Sequence, residues 1–268
     1  MKKYFSIILF FAVVLMTVIS CKKDNKYIAV YKPVSGDAFL RVVHVSPNFR
    51  AIQNYPDSFN IYVGKNKING SLFTYNSFFP ASTANTNTYF AIPSGAQQIR
   101  LSLQGVITID SLTIISLQKD ITPGYFYTFF ITDSLQTQQL NTKVWVQDDF
   151  PIPDTGKYAV RFAHMVLNDT AGKKVEVYST RQAATIFTNI SPGTVTSFIT
   201  LPVLSGDTII VRRPGTLFEL DRFPRNATGQ PSPVSYTNNQ RVYTILYKGN
   251  AVSTAGTKGR SILVYNNR

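Results

Sequence analysis

Two histidines, one cysteine and two glutamates are all that this 268-residue chain offers of the residue types that most often do chemistry. His44 and His164 close two similar runs, Leu40-Arg41-Val42-Val43-His44 and Val160-Arg161-Phe162-Ala163-His164. Successive residues of a strand point to opposite faces, so His44 shares a face with Leu40 and Val42 and is expected to be a half-buried, hydrogen-bonded structural residue. Ser46 lies two residues further along the same run, which is adjacency and not a Ser-His triad. The sequence holds no G-x-S-x-G, H-E-x-x-H or P-loop spacing, and no spaced acidic pair points to a glycosidase. One cysteine excludes internal disulfides and four-Cys zinc sites. The expectation is a non-enzymatic protein with no catalytic residue, no metal and no cofactor.

Binding is the next possibility. Arg212, Arg213, Arg222 and Arg225 cluster around a segment from Gly215 to Pro233 rich in Pro, Gly and Asn. Guanidinium groups grip carboxylate, sulfate or phosphate bidentately, and loops at the end of a β-sandwich commonly carry binding. These four arginines are therefore the candidate ligand site, for an anionic glycan, with Phe218, Phe223 and Tyr236 available to stack on sugars. The plain alternative is a solubilising surface. Asp148, Asp149 and Asp154 flank a proline-rich joint where oxygen ligands could hold calcium, although a solvated linker explains them as well. Asp110-Ser111-Leu112, Asp133-Ser134-Leu135, Asp169-Thr170-Ala171 and Asp207-Thr208-Ile209 resemble short O-glycosylation sequences of some Gram-negative exported proteins.

The N-terminus supplies an address. Lys2-Lys3 precedes an uncharged run from Tyr4 to Ser20, long enough for the apolar core of an export signal. It ends in Val18-Ile19-Ser20-Cys21, which resembles the lipobox of bacterial lipoproteins, with Val where Leu is commoner. By that resemblance residues 1–20 are a lipoprotein signal peptide and Cys21 becomes the acylated first residue of the mature chain. Two or three acyl chains, at ~0.8 kcal/mol per buried CH₂, hold a protein to a bilayer where one does not. No Asp follows Cys21 directly, which favours the outer membrane. Residues 21–38 read as the lipidated Cys and a tether.

Those candidates must be held by something, and composition says what. Apolar residues make up 44% of the chain and charged residues 15%, with 19 Phe and 15 Tyr, enough to build real cores. The formal net charge is +13. Without Lys2 and Lys3 it is +11, of which +3 falls in residues 22–150 and +8 in residues 151–268. Such an excess ordinarily raises nucleic acid as a partner, but an exported protein rarely meets it. Anionic glycans, lipid head groups or envelope proteins fit better.

Short alternating runs broken by Gly, Pro, Asn and Asp predict strands throughout, and the runs repeat. After the two His-ending runs, Phe59-Asn60-Ile61-Tyr62 matches Val175-Glu176-Val177-Tyr178, and Phe73-Thr74-Tyr75 matches Phe187-Thr188-Asn189. Tyr89-Phe90-Ala91-Ile92-Pro93 matches Phe198-Ile199-Thr200-Leu201-Pro202, Tyr127-Thr128 matches Tyr243-Thr244, and Val144-Trp145-Val146 matches Ile262-Leu263-Val264. The expected fold class is all-β, with two tandem immunoglobulin-like β-sandwich domains over residues 39–150 and 158–268. A single large barrel is the alternative, against which the proline-rich joint argues. As equivalent residues of separate domains, His44 and His164 should lie too far apart to share a metal ion.

Arg41-Val42-Val43-His44-Val45-Ser46-Pro47-Asn48, followed by Asn60-Ile61-Tyr62-Val63 and Ala91-Ile92-Pro93-Ser94-Gly95, resembles domain-of-unknown-function family 4397. The second copy departs from that pattern, with Met165-Val166-Leu167 in place of the Ser-Pro segment. The resemblance implies a β-sandwich and an exported location, and no mechanism. The address and the architecture together lead to an outer-membrane lipoprotein, facing either the periplasm or the cell surface, that binds a ligand or an envelope component. The alternative is a structural spacer or assembly subunit that binds other envelope proteins.

Overall fold

The computed structural model describes residues 36–47, 49, 58–81, 88–103, 113–132, 145–169, 173–204, 206–224, 239–252 and 258–268. Cys21, the signal sequence, Arg225, Tyr236 and the Asp110 and Asp133 glycosylation sequences lie outside them. Among the described residues the fold is all-β and built as sandwiches, in nineteen strands.

In the first copy, one sheet runs β10 (Trp145–Asp148), β9 (Phe126–Ile131), β1 (Asp37–His44), with β5 (Phe78–Phe79) and β6 (Phe90–Pro93) both pairing with β1. The facing sheet runs β3 (Asn66–Lys67), β2 (Ser58–Val63), β7 (Gly95–Ser102), β8 (Thr113–Ile121), with β4 (Phe73–Thr74) on β2. The second copy repeats this plan. Its first sheet runs β14 (Thr194–Val195), β11 (Lys157–His164), β18 (Val242–Lys248), β19 (Ser261–Asn266), with β15 (Ile199–Pro202) on β11. Its second runs β13 (Ala184–Ile190), β12 (Val175–Ser179), β16 (Ile209–Arg212), β17 (Glu219–Phe223). No sheet passes from one copy into the other among the described residues.

The repeat is visible in the hydrogen-bond register. Leu40 pairs with Tyr127 and with Phe90, and its counterpart Val160 pairs with Tyr243 and with Ile199. In both copies the first strand runs parallel to the penultimate one, a departure from the purely antiparallel sheets of antibody domains. Two of the sequence matches shift. Phe73 pairs with Phe59 as Ile190 pairs with Val175, so Ile190 and not Phe187 is its counterpart, the β12–β13 bulges absorbing the difference. Trp145 pairs with Phe129 as Val264 pairs with Ile245, which moves the final match by one residue and makes Asp148 the counterpart of Asn267.

Burial does not alternate where the sequence pattern expects it to. Nearly every residue of β1, β9, β11 and β18 is buried, as happens when a strand is covered on both faces. One face of each is the interior of its own sandwich. Leu40, Val42 and Phe129 pack with Phe59, Ile61 and Leu101, and Val160, Phe162 and Ile245 pack with Val177 and Val211. The other face meets the other copy. Ala163, Met165, Leu246 and Tyr265 join the apolar cluster of the first copy, and the Phe78 and Tyr265 rings meet edge-on at 5.1 Å. The two first sheets thus pack back to back, and Val34 to Arg268 forms one compact unit.

Candidate functional site

His44 and His164 are core residues. Both are fully buried, rather than half-buried as the alternation suggests. His44 packs among Phe49, Phe59 and Phe73, and its Nδ1 accepts a hydrogen bond from the Ser46 amide at 3.4 Å. His164 lies against Tyr247 and Phe162, with Nδ1 donating to the Ile190 carbonyl at 3.3 Å. Burial pushes the His164 imidazole down to about 4, against the opposing pull of that carbonyl, so it is neutral at pH 7. Among the described residues no group of three or more His, Cys, Asp or Glu side chains is placed to hold a metal.

Of the four candidate arginines, the three that are described, Arg212, Arg213 and Arg222, are each met by a carboxylate. Arg212 Nε donates to Glu176 at 2.5 Å and Nη2 to Thr185 at 3.1 Å, and the guanidinium stacks 4.4 Å above the Tyr178 ring. The other Glu176 oxygen accepts from the Gly215 amide at 3.1 Å. Arg213 grips buried Asp169 bidentately at 2.6 and 3.1 Å, and Arg260 adds a third bond at 2.9 Å. Arg222 pairs with Glu219 on its own strand. Both glutamates and the carboxylate of the Asp169 sequence are thereby committed to bracing the β16–β17 hairpin. Its tip is apolar, with Leu217 90% and Phe218 65% exposed. Phe223, the other described aromatic of this segment, packs against the core.

At the joint, neither calcium nor a solvated linker describes Asp148. It is 3% exposed and lies at the centre of the contact between copies. Its carboxylate meets Arg161 Nη1 at 2.5 Å and accepts from Thr128 at 2.5 Å and Tyr89 at 2.9 Å. Burial first, and then the Asp148 charge, pushes the Tyr89 phenol well above its ordinary range. Arg161 Nε donates to Thr244 at 2.9 Å, and its guanidinium stacks on Phe198 at 4.8 Å. Arg41, the counterpart of Arg161, stacks on Tyr89 at 4.1 Å and donates to Asn267 at 3.0 Å. Each copy therefore sends its buried arginine across to the same place on the other. The sequence signal was there: Arg41 and Arg161 are the only charges inside two strongly apolar runs. Asp149 is exposed, and Asp154 pairs with Lys157 at 3.0 Å on the surface.

Asp207 is also occupied structurally. It is 2% exposed and accepts from Ser179 Oγ at 2.7 Å, Thr180 Oγ1 at 3.2 Å and the Arg181 amide at 3.0 Å, capping the turn after β12. Asp207→Ala should cost roughly 2–3 kcal/mol by leaving those donors unmet. The Arg181 amide should then exchange with solvent faster than in the wild type, and unchanged exchange would refute the cap. The turn after β2 starts from the same backbone hydrogen bond but is two residues long, Gly64-Lys65, where the turn after β12 has four, 180–183. Gly64 N donates to Gln98 O at 2.8 Å, as Thr180 N donates to Thr208 O at 3.0 Å. Where the second copy has Asp207, however, the first has Gln97. A half-open cleft of about 610 Å³ lies there, lined by Gly64, Lys65, Gln97, Gln98, Arg100 and Gln118. Sequence reasoning missed these residues, because only the register of β2, β7 and β8 brings them into one place.

No family model and no curated protein matches the chain. Among solved structures it is similar to a "putative adhesin" from Bacteroides ovatus, at 11% identity over 86% of this chain and 95% of that one, with a TM-score of 0.22. It is similar too to the C-terminally truncated tip fimbrial protein Mfa3 from Porphyromonas gingivalis, at 10% identity over 86% of this chain and 99% of that one, with a TM-score of 0.23. The resemblance to domain-of-unknown-function family 4397 rests on the sequence segments quoted above.

Proposed function

We propose that this protein is a non-catalytic, lipid-anchored module of the bacterial outer membrane, in which two fused sandwiches present an interaction surface. The observation that carries this reading is the buried contact between copies. Arg41, Arg161, Asp148 and Asn267 tie the two first sheets together, which leaves the outer sheets and the hairpin ends for partners. Acylated Cys21 is the anchor and the residues from 22 to 36 are the tether, two fewer at the far end than the sequence pattern suggests, because Asp37 and Ala38 are the first residues of β1.

Replacing Cys21 with Ala should abolish palmitate labelling and shift the protein from the membrane to the soluble fraction. Labelling that persists would overturn the anchor. Protease treatment of intact cells tests the facing. Loss of the second copy means that it looks outward, and survival until the outer membrane is permeabilised means that its partners are periplasmic.

One observation favours a protein partner over an anionic glycan at the second copy. Arg212, Arg213 and Arg222 are each engaged by a carboxylate of the chain, while Leu217 and Phe218 stand out at the tip that they brace. Rigid apolar anchors ringed by polar groups suit protein interfaces. In this reading the module is an assembly subunit or spacer among other envelope proteins.

A further inference from the structure

The contact between copies is symmetric in its arginines and asymmetric in its acids. Arg41 and Arg161 are equivalent, and both are buried, at 1% and 2% exposure. Arg161 is met by the Asp148 carboxylate. Arg41 is met at the equivalent place by the neutral amide of Asn267. Its other protein contacts are neutral too: Nε donates to the Thr88 carbonyl at 3.1 Å, and the guanidinium faces the Tyr89 ring at 4.1 Å and the Tyr265 ring at 5.1 Å.

The two arginines share one hydrogen-bonded chain. Arg41 Nη1 donates to Asn267 Oδ1, Asn267 Nδ2 donates to Thr244 Oγ1 at 2.7 Å, and Arg161 Nε donates to that same hydroxyl. Two guanidinium charges therefore stand against one carboxylate, away from solvent, where an uncompensated charge is strongly unfavourable. Donors are left over as well. Arg41 Nη2, Arg161 Nη2, Tyr265 Oη and Thr88 Oγ1 are buried and meet no hydrogen-bond partner in the protein. Tyr265 itself is 2% exposed. A water molecule could meet such donors but would leave the charge.

We propose that the contact between copies binds one small monatomic anion, of the class of chloride, at the free donors of Arg41 and Tyr265, where it serves Arg41 as Asp148 serves Arg161. The closed surroundings select for size, since every donor is shut off from solvent and a polyatomic anion would have to force the two sheets apart. The inference uses neither the lipid anchor nor the hairpin tip, so it stands or falls separately from the function proposed above.

The test is urea unfolding of the full-length protein in detergent, in mixtures of sodium chloride and sodium gluconate at one ionic strength, so that only the identity of the anion changes. An ion held by the folded chain and not by the unfolded one should raise the folding equilibrium constant by up to about tenfold for each tenfold rise in chloride. Asn267→Asp, which sets a carboxylate against Arg41, should remove the chloride response and be at least as stable in gluconate as the wild type. Tyr265→Phe keeps the ring beside Arg41 and takes away one donor, so about tenfold more chloride should be needed for the same response. The proposal is overturned if chloride and gluconate give the same wild-type curves, the result expected of a bound water. It is overturned equally if Asn267→Asp or Tyr265→Phe responds to chloride as the wild type does.

Discussion

Asp148→Ala is expected to destabilise the protein by about 3–5 kcal/mol, the usual cost of stripping one partner from a buried ion pair. The carboxylate is the counter-charge of Arg161, which is itself 2% exposed, and it accepts from Tyr89 and Thr128 as well. Removing it leaves a guanidinium and two hydroxyls without their acceptor inside the contact between copies. Urea unfolding at neutral pH measures the loss. Asp148→Asn should cost less, because an amide already serves at the equivalent Asn267, which accepts from Arg41. The double variant Asp148→Leu/Arg161→Met should recover most of the stability, since an apolar pair of similar volume avoids desolvating two charges. A loss below about 1 kcal/mol for Asp148→Ala would mean that the pair does not hold the copies together.

Acid should weaken the protein through His164. Its imidazole sits at about 4 in the folded chain against an ordinary 6.5, chiefly because burial penalises the charged form. Between those values the unfolded chain binds a proton that the folded chain refuses. The neutral-pH stability is therefore intact above about 6.5 and declines as pH falls toward 4, by roughly 3 kcal/mol in all. Unfolding curves at pH 7, 6, 5 and 4 should give a steeper profile for the wild type than for His164→Phe, whose ring suits the Phe162 and Tyr247 contacts. Parallel profiles would remove His164 from the acid response.

Much of this architecture is legible in the order of the residues, for a definite reason. A strand covered on both faces must be apolar or aromatic along its whole length, so Leu40 to His44 and Val160 to His164 stand out and can be matched to each other. The same double coverage hides the contact between copies. A continuous apolar run does not say whether its second face meets a sheet of its own domain or of the next, and Arg41 and Arg161 mark that face only once their partners are known. The candidate site was less legible. Arg212, Arg213 and Arg222 are conspicuous as a cluster, yet the carboxylates that engage them, Glu176, Asp169 and Glu219, come partly from distant stretches. The cleft residues Lys65, Gln97 and Gln118 are ordinary in sequence. They gain meaning from register, which depends on turn lengths and bulges that moved two of the matches in this chain.

The crossing of Arg41 to Asn267 and of Arg161 to Asp148 has the form of an isologous dimer interface enclosed in one polypeptide, residue i meeting j′ while i′ meets j. Two free copies of the first module would bring two arginines and two aspartates to such an interface. In the fused chain only one aspartate remains, because a covalent joint supplies through high effective concentration what the second ion pair would otherwise have to provide. Fusion thus relaxes the symmetry of the pair: one half keeps the charge, and the other is free to close its turn with Asp207 and build the hairpin tip.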